Sequence, residues 1–382
     1  MRADRFPLGA AATIARLEGD PHALHDALRA REPVSWVPAL GGWLVTRRDL
    51  ALEAMRDAAR FTVHDPRFTT AQVVGESMLS LDGPEHARHR APFADPFRLG
   101  EVRRRLAREV RVETDALIDA LEPAGEAELR RGFAGPLAAA VVTRTLGLES
   151  PREVLGLYDA IVGAVTDLSA GRPASPHARA AVASLGDMIR PALQRDDSLL
   201  ALAAAGGLAP DEVASNAAVL LFGGIETTEG MIANAVAHLL GDPASQRLVA
   251  RDPALIEAVV EESLRFEPAA AAVDRYATVD TQLGDAGIAA GELVRISITA
   301  ANRDPATFPD PARFDPLRPN ARRHLAFAGG PHVCVGMHLA RLEARTALAA
   351  LLERLPRLRL AEMPEIRGLV FRKPPRLLVR WG

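Results

Sequence analysis

The sequence predicts a mainly α-helical protein with small β-sheets, an α+β chain in which helices dominate. Three observations carry that expectation. Between about Leu99 and Leu264 the chain runs in long segments of helical period, rich in Ala, Leu, Arg and Glu, parted by breakers such as Glu122-Pro123 and Gly171-Arg172-Pro173. Strand signals are short and fall outside that stretch. No Gly/Ser-rich or charged linker divides the 382 residues into separately patterned blocks, so residues 1–382 read as one domain. Within it, β-rich parts are expected at about 30–60 and 280–300, a helical core at about 99–265, and a glycine-rich loop at 327–336.

Taken in order, Val34 to Val37 and Trp43 to Val45 flank Gly41-Gly42 and suggest a hairpin. A second hairpin is expected around Asp285 to Ser297, where Gly291-Glu292 precedes Leu-Val-Arg-Ile-Ser. The most distinctive helix starts after Pro210-Asp211 and runs to about Leu240, where Gly241-Asp242-Pro243 stops it. About 30 residues at about 1.5 Å each make a rod of roughly 45 Å. Ala217 to Ile225 is apolar on every side, the pattern of a helix buried all round. Polarity then interrupts it: Gly223-Gly224 is followed by Glu226-Thr227-Thr228. The plain reading is a packing glycine pair beside a solvated turn. A buried acid beside hydroxyls is costly unless something needs it, and a loosened turn admits small ligands, so proton delivery to a bound species is the functional candidate.

Composition bounds the rest. Hydrophobic residues make up 48% of the chain, enough for a large core, and the formal net charge of −3 supplies no basic field for nucleic acid or a membrane surface. The apolar stretch from Pro7 to Ala15 follows Arg2 and Arg5 but is alanine-diluted and stopped by Arg16, and no uninterrupted apolar run of about 20 residues occurs. A cytoplasmic protein without a membrane anchor is expected. Lys373 is the only lysine among many arginines. The single cysteine, Cys334, excludes intramolecular disulfides and multi-cysteine metal sites.

Cys334 lies in the glycine-rich loop from Phe327 to Gly336, and helical period resumes at Leu339. The thiol is therefore placed near a helix amino terminus, where backbone N–H groups favour thiolate. Three readings of the residues stay open: an inert core thiol, a zinc site with His332 and His338 that lacks a fourth ligand, and a nucleophile in need of a base.

The loop resembles the signature F-x-x-G-x-x-x-C-x-G of the cytochrome P-450 superfamily, met by Phe327, Gly330, Cys334 and Gly336. Other family landmarks follow in order over nearly the whole chain from about Val34. By resemblance, Glu226 and Thr227 in Gly223-Gly224-Ile225-Glu226-Thr227 form the acid–alcohol pair of oxygen activation. Glu262 and Arg265 match the E-x-x-R element, and Arg318 joins them as a structural triad. His86, Arg90, Arg275 and His332 match the partners of the heme propionates. Gly83 stands where the family often has proline, and Ala328 where it often has glycine.

The resemblance implies the cytochrome P-450 fold, heme b (iron protoporphyrin IX) as cofactor with Cys334 as axial ligand, and insertion of one oxygen atom from O2 into a hydrophobic small molecule, a secondary-metabolite intermediate. Electrons would come from a ferredoxin or flavodoxin with its reductase, since no flavin or dinucleotide motif is evident; Arg103, Arg104, Arg322, Arg323 and Arg341 are the expected docking cations. Met78, Leu79, Val219, Phe222, Gly223, Ala271 and Val273 are the expected pocket lining. Other outcomes weighed are aryl coupling, desaturation or peroxide-driven oxidation, and a non-catalytic recruitment protein that would have lost the cysteine or the acid–alcohol pair.

Overall fold

A computed structural model describes residues 2–195 and 198–382. The long helix spans Pro210–Gly241, 32 residues, or about 48 Å at about 1.5 Å per residue. Pro210 begins it, and Glu212 reaches back to accept the Ala209 N–H at 2.8 Å, half of a capping box because Ala209 has no side-chain acceptor to return the bond. Asp242 ends it and caps the next helix, accepting from Ser245 N at 3.1 Å. Ala217 to Phe222 and Ile225 are all buried, as the apolar run predicts. Two buried asparagines pin the rod at either side of its middle. Asn216 accepts the Met78 N–H at 2.8 Å, and Asn234 donates to the carbonyls of Glu267 and Arg372 at 3.0 Å each.

The expected loosened turn at Gly223-Gly224 is absent, for helical structure runs unbroken across it. The Thr227 hydroxyl donates to the Gly223 carbonyl at 2.6 Å, an added bond within the turn rather than a break in it.

Among the described residues, ten strands build three small sheets. They are β1 (Val34–Val37), β2 (Gly42–Val45), β3 (Phe61–Thr62), β4 (Glu126–Glu128), β5 (Ala272–Ala277), β6 (Thr281–Leu283), β7 (Ala286–Ile288), β8 (Leu293–Ser297), β9 (Arg359–Leu360) and β10 (Leu378–Arg380). The main sheet has the order β1-β2-β8-β5-β3. The first hairpin forms as expected, with Val34 opposite Val45. The second is corrected: β6 pairs with β7, with Thr281 opposite Ile288, while β8 enters the main sheet, parallel to β2 and antiparallel to β5. Between β2 and β5 the backbone groups on both edges of β8 are paired, and its Val294 and Ile296 are fully buried.

Behind the long helix, Met337–Arg354 packs against Leu99–Leu121 in the helical core. Helix Ile256–Phe266 carries Glu262 and Arg265 on one face, and the two form a forked pair at 2.7 and 2.8 Å. Arg318 adds a third bond to Glu262 at 3.1 Å. The remaining Arg265 donors reach the carbonyls of Asn302, Pro311 and Arg313, so a fully buried guanidinium is saturated and ties this helix to the segment leading toward the cysteine loop. Removing one partner strands the others without water. Glu262→Ala is expected to destabilise the fold by about 3–5 kcal/mol, measured as a shift of the denaturant midpoint; an unchanged midpoint would reject the bracing role.

Candidate active site

The cysteine loop is built by backbone constraints. Cys334 N–H donates to the Phe327 carbonyl at 2.9 Å, closing the loop on itself. Gly330 has φ +71°, and a Cβ there would sit 2.4 Å from the Met55 carbonyl oxygen, so only glycine fits. Phe327 is held from behind by Arg341, whose guanidinium lies 4.4 Å from the ring centroid and pairs with Glu261 at 2.6 Å. Ala328 adopts φ +58°, a left-handed conformation that costs a non-glycine residue about 1–2 kcal/mol. The departure from glycine at this position is thus a strained one. Gly83, with φ +60°, holds a backbone that proline cannot adopt.

A cavity of about 310 Å³ separates this loop from the long helix. Cys334, Phe327, Gly336, Arg90, His332 and Arg275 line it, as do Gly223, Gly224, Thr227 and Thr228 of the long helix. The helix presents residues 219, 223, 227 and 231 to the cavity, and Glu226 lies off that stripe. Sequence neighbours 226 and 227 therefore face different surroundings. Glu226 is buried behind the cavity wall, where Tyr158 donates to it and Lys373 pairs with it at 2.8 Å.

Of the expected pocket lining, Met78, Leu79, Val219, Phe222, Gly223 and Val273 reach the cavity, and Ala271 does not. Ala269, Ala270, Ala272 and Val273 line the cavity, whereas Ala271 lines a smaller cleft with Leu17 and His25, its backbone bonded to Val370 and Ile298.

The Cys334 thiol opens onto the cavity, deep inside the chain. Burial pushes its pKa above the ordinary value, and the Gly336 N–H, Arg90 and Arg341 oppose this without cancelling it. The expected thiolate preference from the helix is therefore outweighed. The helix starts only at Met337, and its field fades within a turn. A bound metal ion removes the proton of a coordinating thiol outright. The zinc alternative fails on geometry, since among the described residues no three or more His, Cys, Asp or Glu side chains are grouped to hold a metal ion.

The cavity edge is rich in unanswered donors. Arg275 is buried, its one side-chain bond goes to the neighbouring Asp274 carbonyl at 2.8 Å, and burial pulls its pKa down to about 10. The Asp274 carboxylate is committed to Arg295, at 2.7 Å. Arg90 donates only to the Val333 carbonyl at 2.7 Å. His86 Nε2 and His332 Nδ1 are buried without partners, their rings 4.4 Å apart. Burial, then the adjacent His332, brings the His86 pKa down to about 4. Such a cluster is costly unless anions meet it.

These residues fit heme. The walls are apolar, the donors suit two propionates, and the thiol suits the iron. Gly223 and Gly336 both line the cavity, and a Cβ at either would meet no atom within 4 Å, so their lack of a side chain keeps space for a flat ring system.

Two acidic residues at the site escaped the sequence reading. Asp82 accepts from His332 Nε2 at 2.8 Å, from Thr62 Oγ1 at 2.6 Å and from the Val63 N–H at 2.9 Å. Burial alone would raise its carboxyl, but those bonds hold it far below the carboxylate range. Its place before Gly83-Pro84 marks a helix cap, which its side chain does not make. Glu343 lines the cavity from Met337–Arg354, with one oxygen buried and unpartnered, and burial raises its pKa well above the ordinary value. A lone acid on the buried face of that helix was the available signal.

Comparison with known proteins agrees with this geometry. Residues 189–375 match the family described as Cytochrome P450. The chain is 34% identical over 354 residues to 20-oxo-5-O-mycaminosyltylactone 23-monooxygenase of Streptomyces fradiae, covering 89% of this chain and 83% of that one. It is 36% identical over 391 residues to nocardicin C N-oxygenase of Nocardia uniformis subsp. tsuyamanensis, covering 95% and 97%. Among solved structures, P450BioI in complex with an acyl carrier protein ligated to hexadec-9Z-enoic acid superposes with a TM-score of 0.87 at 28% identity, over 97% of this chain and 100% of that one. Heme b is the cofactor of this fold and family, and monooxygenation in secondary metabolism is the reaction class of these relatives. Neither the sequence nor the architecture leaves another home for it, and the chain belongs to the cytochrome P450 family.

Proposed function

We propose that this monooxygenase inserts one oxygen atom from O2 into a bulky, mostly hydrophobic natural-product intermediate, with Cys334 as axial ligand and a ferredoxin as electron donor. The observation that carries this reading is the sharing of one apolar cavity by the only thiol of the chain, the Thr227 hydroxyl, Arg275, Arg90 and His332, with the His86 ring 4.4 Å from that of His332. Heme bound there would supply the redox chemistry that activates O2, and Cys334 is the residue that would hold its iron.

The protein contributes charge, orientation and protons. Arg90, Arg275, His86 and His332 would hold the propionates, and Asp82 keeps His332 turned toward them. Thr227 donates its hydroxyl proton to the Gly223 carbonyl, which leaves its oxygen lone pairs free to accept from a water in the cavity. Glu226, one residue earlier and behind the wall, is the acid that replenishes protons on that side. Met78, Leu79, Val219, Phe222 and Val273 exclude bulk water and offer apolar contact to the substrate. The names of the relatives, a 23-monooxygenase and an N-oxygenase, support oxygen insertion into elaborated small molecules.

For the electron donor, Arg103, Arg104, Arg322 and Arg323 are exposed, as docking requires. Arg341 is not available, being half-buried on Phe327 and paired with Glu261. Among the described residues no helix is long and apolar enough to cross a membrane.

Two measurements test this reading. Heme-loaded protein supplied with a surrogate ferredoxin, its reductase and NADPH under ¹⁸O₂ is expected to place a single labelled oxygen in the product from a panel of hydrophobic lactones, terpenoids and modified peptides; unlabelled product would contradict monooxygenation. Reversing Arg103, Arg104 and Arg323 to Glu is expected to raise the KM for ferredoxin about tenfold at low salt and less at high salt. An unchanged KM would remove the docking assignment.

A further inference from the structure

Among the described residues, six polar ones line the cavity beyond Cys334, Thr227 and the heme-edge residues: Thr69, Thr70, Ser169, Thr228, Asp274 and Glu343. Thr228 belongs to the long helix and Glu343 to Met337–Arg354. The other four form one cluster. Thr69 and Thr70 open the helix Thr69–Val74, and Ser169 is the last residue of the helix Pro151–Ser169. The Thr69 and Ser169 hydroxyls lie 3.3 Å apart and join the two helices at the cavity wall, where both residues are half-buried.

An ion pair braces this cluster from the main sheet. Asp274 on β5 stands directly opposite Arg295 on β8, and the Arg295 fork meets both carboxylate oxygens at 2.7 Å. Its remaining nitrogen, Nη1, donates to the Ser169 carbonyl at 3.4 Å. Burial alone would lower the Arg295 pKa, but the charge of Asp274 and its bonds more than offset this and hold it above the ordinary arginine value. As an ion pair the two side chains are neutral together, and both oxygens of Asp274 are already claimed. What the cluster leaves for a ligand is the hydroxyl pair. When one hydroxyl donates to the other, the second keeps its proton to donate outward and the first keeps lone pairs to accept.

We propose that the Thr69 and Ser169 hydroxyls form a recognition site for an alcohol group of the substrate, so that the class of molecule taken is a hydrophobic skeleton that already carries a hydroxyl. This deepens the reading above and rests on heme and substrate sharing the cavity. An alcohol answers both free positions, donating to one hydroxyl oxygen and accepting from the other hydroxyl. An ether or ketone answers only the donor. A cationic group would lose its hydration and meet no unclaimed carboxylate, because Arg295 holds Asp274. With apolar walls elsewhere, one fixed hydroxyl decides which carbon of the skeleton is turned toward Thr227 and Cys334.

The test titrates ferric, heme-loaded protein with decan-1-ol, decyl methyl ether and decyltrimethylammonium, and reads binding from the change of iron spin state. Decan-1-ol is expected to bind about fivefold more tightly than the ether, the worth of one added neutral hydrogen bond, and the ammonium probe least well. In the double variant Thr69→Val with Ser169→Ala, the alcohol should fall to the affinity of the ether while the ether keeps its own. A merely structural role would weaken both probes alike, and that result, or a preference for alcohol that persists in the double variant, overturns the proposal. Equal binding of alcohol and ether to the wild-type protein overturns it as well, and decides the matter even if the double variant fails to load heme. Tightest binding of the ammonium probe would assign recognition to Asp274 and overturn it too. If no probe changes the spin state while carbon monoxide still gives the spectrum of a thiolate-bound heme, this inference fails and the monooxygenase reading stands; loss of that spectrum ends both.

Discussion

A lone sulfur has to be held open to an apolar cavity inside the protein, and much of this architecture serves that requirement. Beyond the Gly336 N–H the Cys334 side chain has no hydrogen-bond partner to fix it, so the backbone places it. The bond from its N–H to the Phe327 carbonyl closes the loop, and the close approach of Gly330 to Met55 fixes where the loop turns. The cation–π contact of Arg341 with Phe327 presses the loop from behind. Further out, the saturated triad of Glu262, Arg265 and Arg318 braces the chain that leads into it. The strain accepted at Ala328 is small against these constraints and persists because they over-determine the loop.

The electrostatics of the cavity are divided by side. Along one edge, Arg275 and Arg90 offer positive charge with few protein acceptors, and His86 and His332 each leave a buried ring nitrogen without a partner, so the folded chain carries a polarity that an acidic cofactor completes. Across the long helix, Glu226 and Glu229 are met by Lys373, Arg130 and Arg131 within the protein itself. One helix thus separates an incomplete electrostatic arrangement from a nearly complete one. Thr227 stands at the boundary, facing the cavity while its neighbour Glu226 faces the paired charges.

Local signals in the sequence proved sufficient where the physics is local. Pro210 and Gly241-Asp242 bound the long helix because a missing N–H and a capping carboxylate act within one turn. The spacing of Glu262 and Arg265 puts them on one helix face whatever surrounds them. What escaped the sequence depends on distant partners. β8 left its expected hairpin because β2 and β5 pair both of its edges, and Ala271 lies off the cavity where its backbone is bonded to Val370 and Ile298. The orientation of Glu226 was hidden for the same reason: it is decided by Lys373 and Tyr158, neither adjacent in sequence. Arg341 looked like a surface cation until Phe327 and Glu261 claimed it.

Bonding between the Cys334 sulfur and heme iron is the claim on which the site stands, and carbon monoxide reads it directly. Reduced, heme-loaded protein is expected to show the strongly red-shifted Soret band that a thiolate ligand produces, and Cys334→Ser is expected to lose it. A carbonyl spectrum without that shift in the wild-type protein, or the same shifted band in Cys334→Ser, would contradict the account.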